Sequence, residues 1–349
     1  MKTLIRSTVL MASLATAGLS THAEGINFYA LLDGGMAYTS ISGAGTTASR
    51  TEFVTGGYAP NFAGITGEKA LDKGLTAGFK LEQGFLLNSR ADGVSSRFFF
   101  CDDSLFNRQA NLYVKNSSGT FAVGTQGNIA FNSVLLGDAR FGSNFGSSLA
   151  AVVITGGLGT IDNGSLSVTT APMSGFTLAA QVVPQATTAT KSGQRFSATY
   201  GGKDLSATAA TYTNKSIDTT PDGSGTVLGA AYKMGAFTLK GLNVSQKNAS
   251  TDTLKTNGLG GAYALTAETT LDFGVYKSTK TSYSMNTTAV GAQYKFLKDL
   301  TLYGQYASVK NNGTLATPYN FAPPTIISGN VTAGQTATTI NVGFLYSFF

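Results

Sequence analysis

Between Leu75 and Glu82 the chain changes character at every residue: Leu75, Ala77, Phe79 and Leu81 fall on one face of an extended strand, and Thr76, Lys80 and Glu82 on the other. The same period returns where Phe176, Leu178, Ala180 and Val182 oppose Thr177 and Gln181, and where Val290, Ala292, Tyr294 and Phe296 oppose Gln293 and Lys295. It returns again where Leu300, Leu302, Gly304 and Tyr306 oppose Thr301, Tyr303 and Gln305. A two-residue period with one apolar face is the mark of a strand standing between two environments. Carried along a whole chain, it admits two architectures: a β-sandwich that hides the apolar face inside, or a closed barrel that turns it outward to lipid. Composition agrees with strands, with 43 Gly, no Trp, 15 Tyr, 22 Phe and only 12% charged residues. Past the N-terminal segment no apolar run approaches the roughly 20 residues of a membrane helix, so crossing a bilayer would require backbone hydrogen bonds closed between strands.

Punctuation separates the two architectures. Very short turns fall near Asp72-Lys73-Gly74, Ser117-Ser118-Gly119, Pro172-Met173-Ser174-Gly175, Gly201-Gly202-Lys203-Asp204, Met234-Gly235-Ala236, Thr266-Ala267 and Leu297-Lys298-Asp299. Longer Gly/Ser/Thr/Asn segments fall between and around them. Seven turns alternating with eight loops imply 16 antiparallel strands, an even number with the short/long rhythm of transmembrane barrels and room for an aqueous lumen. The strands are expected at 26–38, 60–68, 74–86, 106–116, 119–126, 163–171, 175–183, 193–201, 204–213, 225–234, 236–247, 255–265, 267–278, 286–297, 299–309 and 338–349.

The first residues are a different kind of segment. Lys2 and Arg6 precede a small-residue apolar run from Thr8 to Leu19, closed by Thr21-His22-Ala23, which matches the three regions of a secretory signal. Residues 1–23 are therefore expected to be removed, leaving a single barrel domain over 24–349. Cleavage takes away Lys2, Arg6 and the one histidine, and the formal charge falls from +6 to +4.

Specific residues resemble the trimeric general porins of Gram-negative bacteria, in particular the neisserial and burkholderial (betaproteobacterial) branch. Ile26-Asn27-Phe28-Tyr29-Ala30-Leu31-Leu32-Asp33-Gly34-Gly35 is similar to that branch's first strand, and Gly67-Glu68 through Lys80-Leu81-Glu82-Gln83-Gly84-Phe85 to its second hairpin. Phe106-Asn107-Arg108-Gln109-Ala110 with Gly119-Thr120-Phe121 resembles the fourth and fifth strands, Leu302-Tyr303-Gly304-Gln305-Tyr306-Ala307 the penultimate one, and Val342-Gly343-Phe344 to Phe348 the C-terminal assembly signal, which Phe349 overhangs by one. The resemblance implies an outer-membrane homotrimer, seated among outer-membrane lipids, that passes small hydrophilic solutes and ions. It also implies an inward-folded third loop, whose acidic groups face basic residues of the wall across a constriction.

Departures from that pattern weaken the expected field. Phe62, Thr66 and Thr160 stand where the family usually carries basic residues, which leaves Arg108 as the clear survivor of the ladder. The third loop, 127–163, offers only Asp138, Arg140 and the late Asp162. Candidates for the constriction are Arg108, Asp138, Arg140, Lys80, Glu82 and Asp33; strand parity puts Lys80, Glu82 and Asp33 on lumen faces, at either the constriction or the wider vestibules. The loop over 311–336 either covers the mouth or decorates the surface.

Chemistry other than passage finds no residues to carry it. Without histidine in the mature chain there is no Ser-His-Asp or Cys-His system and no ordinary zinc site, so neither an enzyme nor a metal or cofactor is expected. Cys101 has no partner for a disulfide, and Asp102-Asp103 reads as a solvated loop pair rather than a metal site. Basic residues are scattered along strands instead of clustered, against nucleic-acid binding. The alternative that remains is a secreted, non-conducting β-structured adhesin.

Overall fold

Tight turns at the places anticipated hold neighbouring strands antiparallel. In the turn Asp72–Gly74, for example, Lys73 takes φ 60° and lets the chain reverse. A computed structural model describes residues 25–87, 105–184, 192–215, 223–247, 252–321 and 330–348. Its strands are β1 (Gly25–Gly43), β2 (Thr46–Thr55), β3 (Phe62–Ala70), β4 (Thr76–Gly84), β5 (Gln109–Asn116), β6 (Gly119–Gly127), β7 (Ile161–Thr170), β8 (Phe176–Val183), β9 (Ser192–Gly201), β10 (Leu205–Lys215), β11 (Gly223–Met234), β12 (Phe237–Lys247), β13 (Leu254–Ala264), β14 (Thr269–Lys280), β15 (Tyr283–Lys295), β16 (Leu300–Asn311), the short pair β17 (Thr317–Pro318) and β18 (Asn330–Val331), and β19 (Thr336–Phe348). All but β17 and β18 lie in one sheet, which closes where β19 pairs with β1 from Ala30↔Phe348 to Ser42↔Thr336. β2 and β3 both pair with β1, one above the other, and form the two halves of a single stave. The result is a closed barrel of 16 antiparallel staves.

Its outer face is apolar in register. Phe273, Val290, Tyr306, Ile340 and Tyr38 are successive pairing partners across β14, β15, β16, β19 and β1, and each keeps 41 to 50% of its surface exposed. Four residues further along, the same staves carry Lys277, Asn286, Lys310 and Thr336 in register. At about 3.4 Å per residue on tilted strands this places the polar row roughly 10–13 Å from the apolar one, which is half of an apolar band about 25 Å tall. Aromatic pairs collect near the short turns, with Phe237 and Tyr263 at 4.4 Å and Phe176 and Tyr200 at 5.0 Å between ring centroids. Such a belt stands at the membrane–water boundary. Among the described residues no helix is long and apolar enough to cross a membrane; strands do the crossing.

Two differences from the sequence expectation concern the first long connection. The chain does not leave the wall at Tyr38 but continues to Gly43, turns at Ala44-Gly45 and returns as β2. The returning sequence Thr-Thr-Ala-Ser-Arg-Thr-Glu is polar on both faces, because this end rises above the lipid and lacks the alternation that betrays a lipid-facing strand. β2 then breaks off, and 56–61 depart from the wall before β3 resumes. Residues 1–24, with the expected signal, and Cys101, Asp102, Asp103 and Phe349 lie outside the described residues.

Candidate pore constriction

The third loop spans 128–160. Asn128 caps its helix α1 (Ile129–Gly137), its side-chain oxygen accepting from the amides of Ala130 and Phe131 at 2.9 and 3.3 Å. The helix lies against β8–β12. It can lie that close because a Cβ on Gly137 would meet Gly229 Cα at 2.7 Å and the Gly241 carbonyl at 2.8 Å. Ala130, Val134, Leu149, Val152, Val153 and Leu158 bury against Ala210, Tyr212, Val227, Leu242 and Val244 of the wall. A π-helical turn, Ala150–Thr155, follows, and Gln246 donates to its Val152 carbonyl at 3.1 Å. These wall residues alternate with the exposed apolar ones, and the staves involved run from β8 to β16. A segment touching that arc on its non-lipid face lies inside the barrel.

Asp138 and Arg140 hold the loop there. The Asp138 carboxylate accepts from the amides of Arg140, Gly142 and Ser148, from the Ser148 hydroxyl at 2.6 Å and from the Tyr276 hydroxyl at 3.0 Å. Arg140 donates from Nε to Asp272 at 2.6 Å, from Nη1 to the Phe145 carbonyl and from Nη2 to Gln305 at 3.0 Å. Both members of the Arg140–Asp272 pair have no side-chain exposure. Burial, the largest single influence, would lower the guanidinium's pKa, but the Asp272 carboxylate together with the Tyr58 and Tyr276 hydroxyls raises it and holds Arg140 charged. Both loop charges are thus turned into the packing.

Lys80, Glu82 and Arg108 come together on the opposite arc. Glu82 bonds Arg108 Nε at 2.7 Å, lies 3.5 Å from Lys80 Nζ and accepts from the Tyr29 hydroxyl at 2.8 Å. The two cations retain 25% (Lys80) and 15% (Arg108) side-chain exposure, against 4% for Glu82. Arg108 sits 4.7 Å from the ring centroid of Phe62, so the residue standing in a basic position receives a cation on its face instead of supplying one. Asp33 is elsewhere and buried, accepting the amides of Tyr58 and Ala59 and the Tyr303 hydroxyl.

Sequence reasoning passed over three interior charges: Asp272, Arg195 and Lys240. Arg195 pairs with Asp162 at 2.8 Å, and Lys240 donates to the Leu135 carbonyl at the end of α1 and stands 3.9 Å from the Phe141 ring. Parity could have found Asp272, which lies between the outward Leu271 and Phe273. The final loop also turns in: Tyr319 packs with Ile41, Met285 and Val309, and the Phe321 amide donates to the Asn144 carbonyl at 2.8 Å. Among the described residues no cluster of three metal-binding side chains exists.

The closed 16-stave barrel is shared with proteins of known kind. The family described as Gram-negative porin matches residues 7–314. The chain belongs to the Gram-negative porins. This porin is similar in structure to the anion-selective porin from Comamonas acidovorans, with a TM-score of 0.78 and 20% identity over 93% of this chain and 100% of that one. It is also similar to the trimer form of OmpT, an outer membrane protein of Vibrio cholerae (TM-score 0.63, 14% identity, 94% and 100% covered), and to a mutant of the Rh. blastica porin (0.60, 18%, 93% and 100%). No curated protein matches the sequence. The porin is thus an outer-membrane diffusion channel rather than an enzyme.

Proposed function

We propose that the porin passes small hydrophilic solutes and ions along the inner face of β3–β7, as a trimer with weak charge selectivity, after removal of residues 1–23. The supporting observation is the pairing of interior charge. Glu82 is matched by Lys80 and Arg108, Asp162 by Arg195 and Asp272 by Arg140, while Asp138 is enclosed by donors. A transverse field needs unpaired charges of opposite sign on facing walls. Of these charges, the ones that keep partial exposure are Lys80 and Arg108, on the arc that the third loop leaves uncovered. Within the family the resemblance of the first strand and of the Arg108 segment favours the betaproteobacterial branch, as does the likeness to the Comamonas porin. Trimeric assembly is supported by the Vibrio relative's trimer form.

The test is a planar bilayer containing the refolded mature protein, with a potassium chloride gradient across it. Large stable steps in threes and a small reversal potential are expected. A strong anion or cation preference would contradict the neutralised constriction, and silence from a demonstrably folded barrel would contradict the pore itself.

A further inference from the structure

The break in the second stave is larger than any irregularity the wall requires. Gly34 pairs with Thr55 and Leu31 with Phe62, so two residues of β1, Leu32 and Asp33, face the six residues 56–61. An ordinary bulge adds one residue; this one adds four. The surplus turns inward, starting at Gly56 with φ 75°, a left-handed conformation that suits glycine.

Its near end is fastened by one side chain. Asp33 Oδ2 accepts the amides of Tyr58 and Ala59, both at 2.6 Å, while Oδ1 accepts the Tyr303 hydroxyl at 2.7 Å. The backbone of Asp33 adds two bonds, donating to Asn61 Oδ1 and accepting from the Gly56 amide. The far end lies along the wall. The Gly57 carbonyl accepts from Gln305 at 2.8 Å, and the Tyr58 hydroxyl accepts from Gln293 on β15 at 2.7 Å. β15 is three pairings from β1, or roughly 14 Å at about 4.8 Å per stave.

The same segment supports the third loop. Asn144 donates its amide to the Tyr58 carbonyl at 3.1 Å and its side-chain nitrogen to the Gly56 carbonyl at 2.6 Å. Gln305, which donates to Gly57, accepts from Arg140 at 3.0 Å. The bulge and the loop tip therefore lie at one level of the lumen and brace each other.

We infer that residues 56–61 form a second constriction element, and that Asp33 is the positioning residue whose carboxylate pins it in the lumen, so that this shelf sets the size limit of the pore. The inference rests on the diffusion-channel reading above. A wild-type protein that fails to conduct would remove that reading, whereas variants indistinguishable from a conducting wild type would remove only the shelf.

Three variants test it, each checked for heat-modifiable, β-rich folding. Deleting 58–61 leaves Gly56 and Gly57 opposite Asp33 and Leu32 and restores equal residue counts. D33N keeps the shape but turns an amide donor or a weaker acceptor toward the Tyr58 and Ala59 amides. P60C with C101S leaves the cradle intact and places a thiol on the shelf. Single-channel conductance and the exclusion limit for graded poly(ethylene glycols) are the readouts, since a merely structural bulge would move melting temperature alone. The deletion is expected to raise conductance by roughly twofold or more and to admit larger polymers, as widening the narrowest section does. D33N is expected to move both readouts the same way by less, with noisier current. Labelling P60C with a bulky thiol reagent is expected to lower conductance. Folded variants with wild-type conductance and exclusion limit would overturn the inference, as would complete labelling of P60C without effect; the labelling result decides if the other two fail to fold.

Discussion

Arg140 shows how a charge placed by its loop can serve packing. Its guanidinium spends its donors on Asp272, Phe145 and Gln305 and has no surface left for solute. Removing one partner of a buried pair costs about 3–5 kcal/mol, because the other charge is stranded. Arg140→Ala is therefore expected to lower the thermal transition clearly and make the open-channel current noisy; a wild-type melting curve and quiet steps would show that the pair does not hold the loop. Arg108 behaves differently, being partly exposed and beside Glu82. Arg108→Gln leaves Glu82 beside Lys80 and bonded by the Tyr29 hydroxyl, so it is expected to cost less stability than Arg140→Ala and to shift the reversal potential toward cations, a change read in the potassium chloride gradient. The sequence reveals that Arg108 and Glu82 are polar residues near one lumen wall, since Glu82 lies in a clean alternating run. It does not reveal that Arg140 is buried, because a loop has no period from which to read a face.

At the scale of the element, α1 depends on contact between backbones. A side chain at Gly137 would press on Gly229 and on the Gly241 carbonyl, and neither can yield. Gly137→Leu is expected to lift the helix from β11 and change conductance by at least several tens of per cent while the barrel, built from other residues, still folds; unchanged conductance in a folded protein would contradict a helix seated in the lumen. The staves with one face to lipid were legible from alternation, and β4, β8, β15 and β16 lie within three residues of expectation. β2 was not, because it stands above the lipid, where nothing selects against polar residues on either face. The inward bulge was hidden for a related reason: Gly56 and Gly57 read as an ordinary loop and Pro60 as the start of the next strand, and only the pairing of both flanks with one strand shows that the chain never left the wall for long.

The whole molecule inverts the usual arrangement, with apolar rows outside and a polar, internally paired interior. Its selectivity rests on few partly exposed charges in water, so screening governs it. The Debye length falls from about 10 Å at 0.1 M salt to about 3 Å at 1 M. Any residual ion preference is expected to shrink over that range at a constant activity ratio, as measured by reversal potential; a preference independent of salt would point to a specific binding site. The most direct measurement of the central claim, passage by size without recognition, is liposome swelling with neutral and charged solutes of graded size. Rates that fall steeply with size, depend little on charge and rise linearly with concentration are expected. Saturating flux for one solute, or flux ordered by chemical type instead of size, would contradict a general diffusion channel.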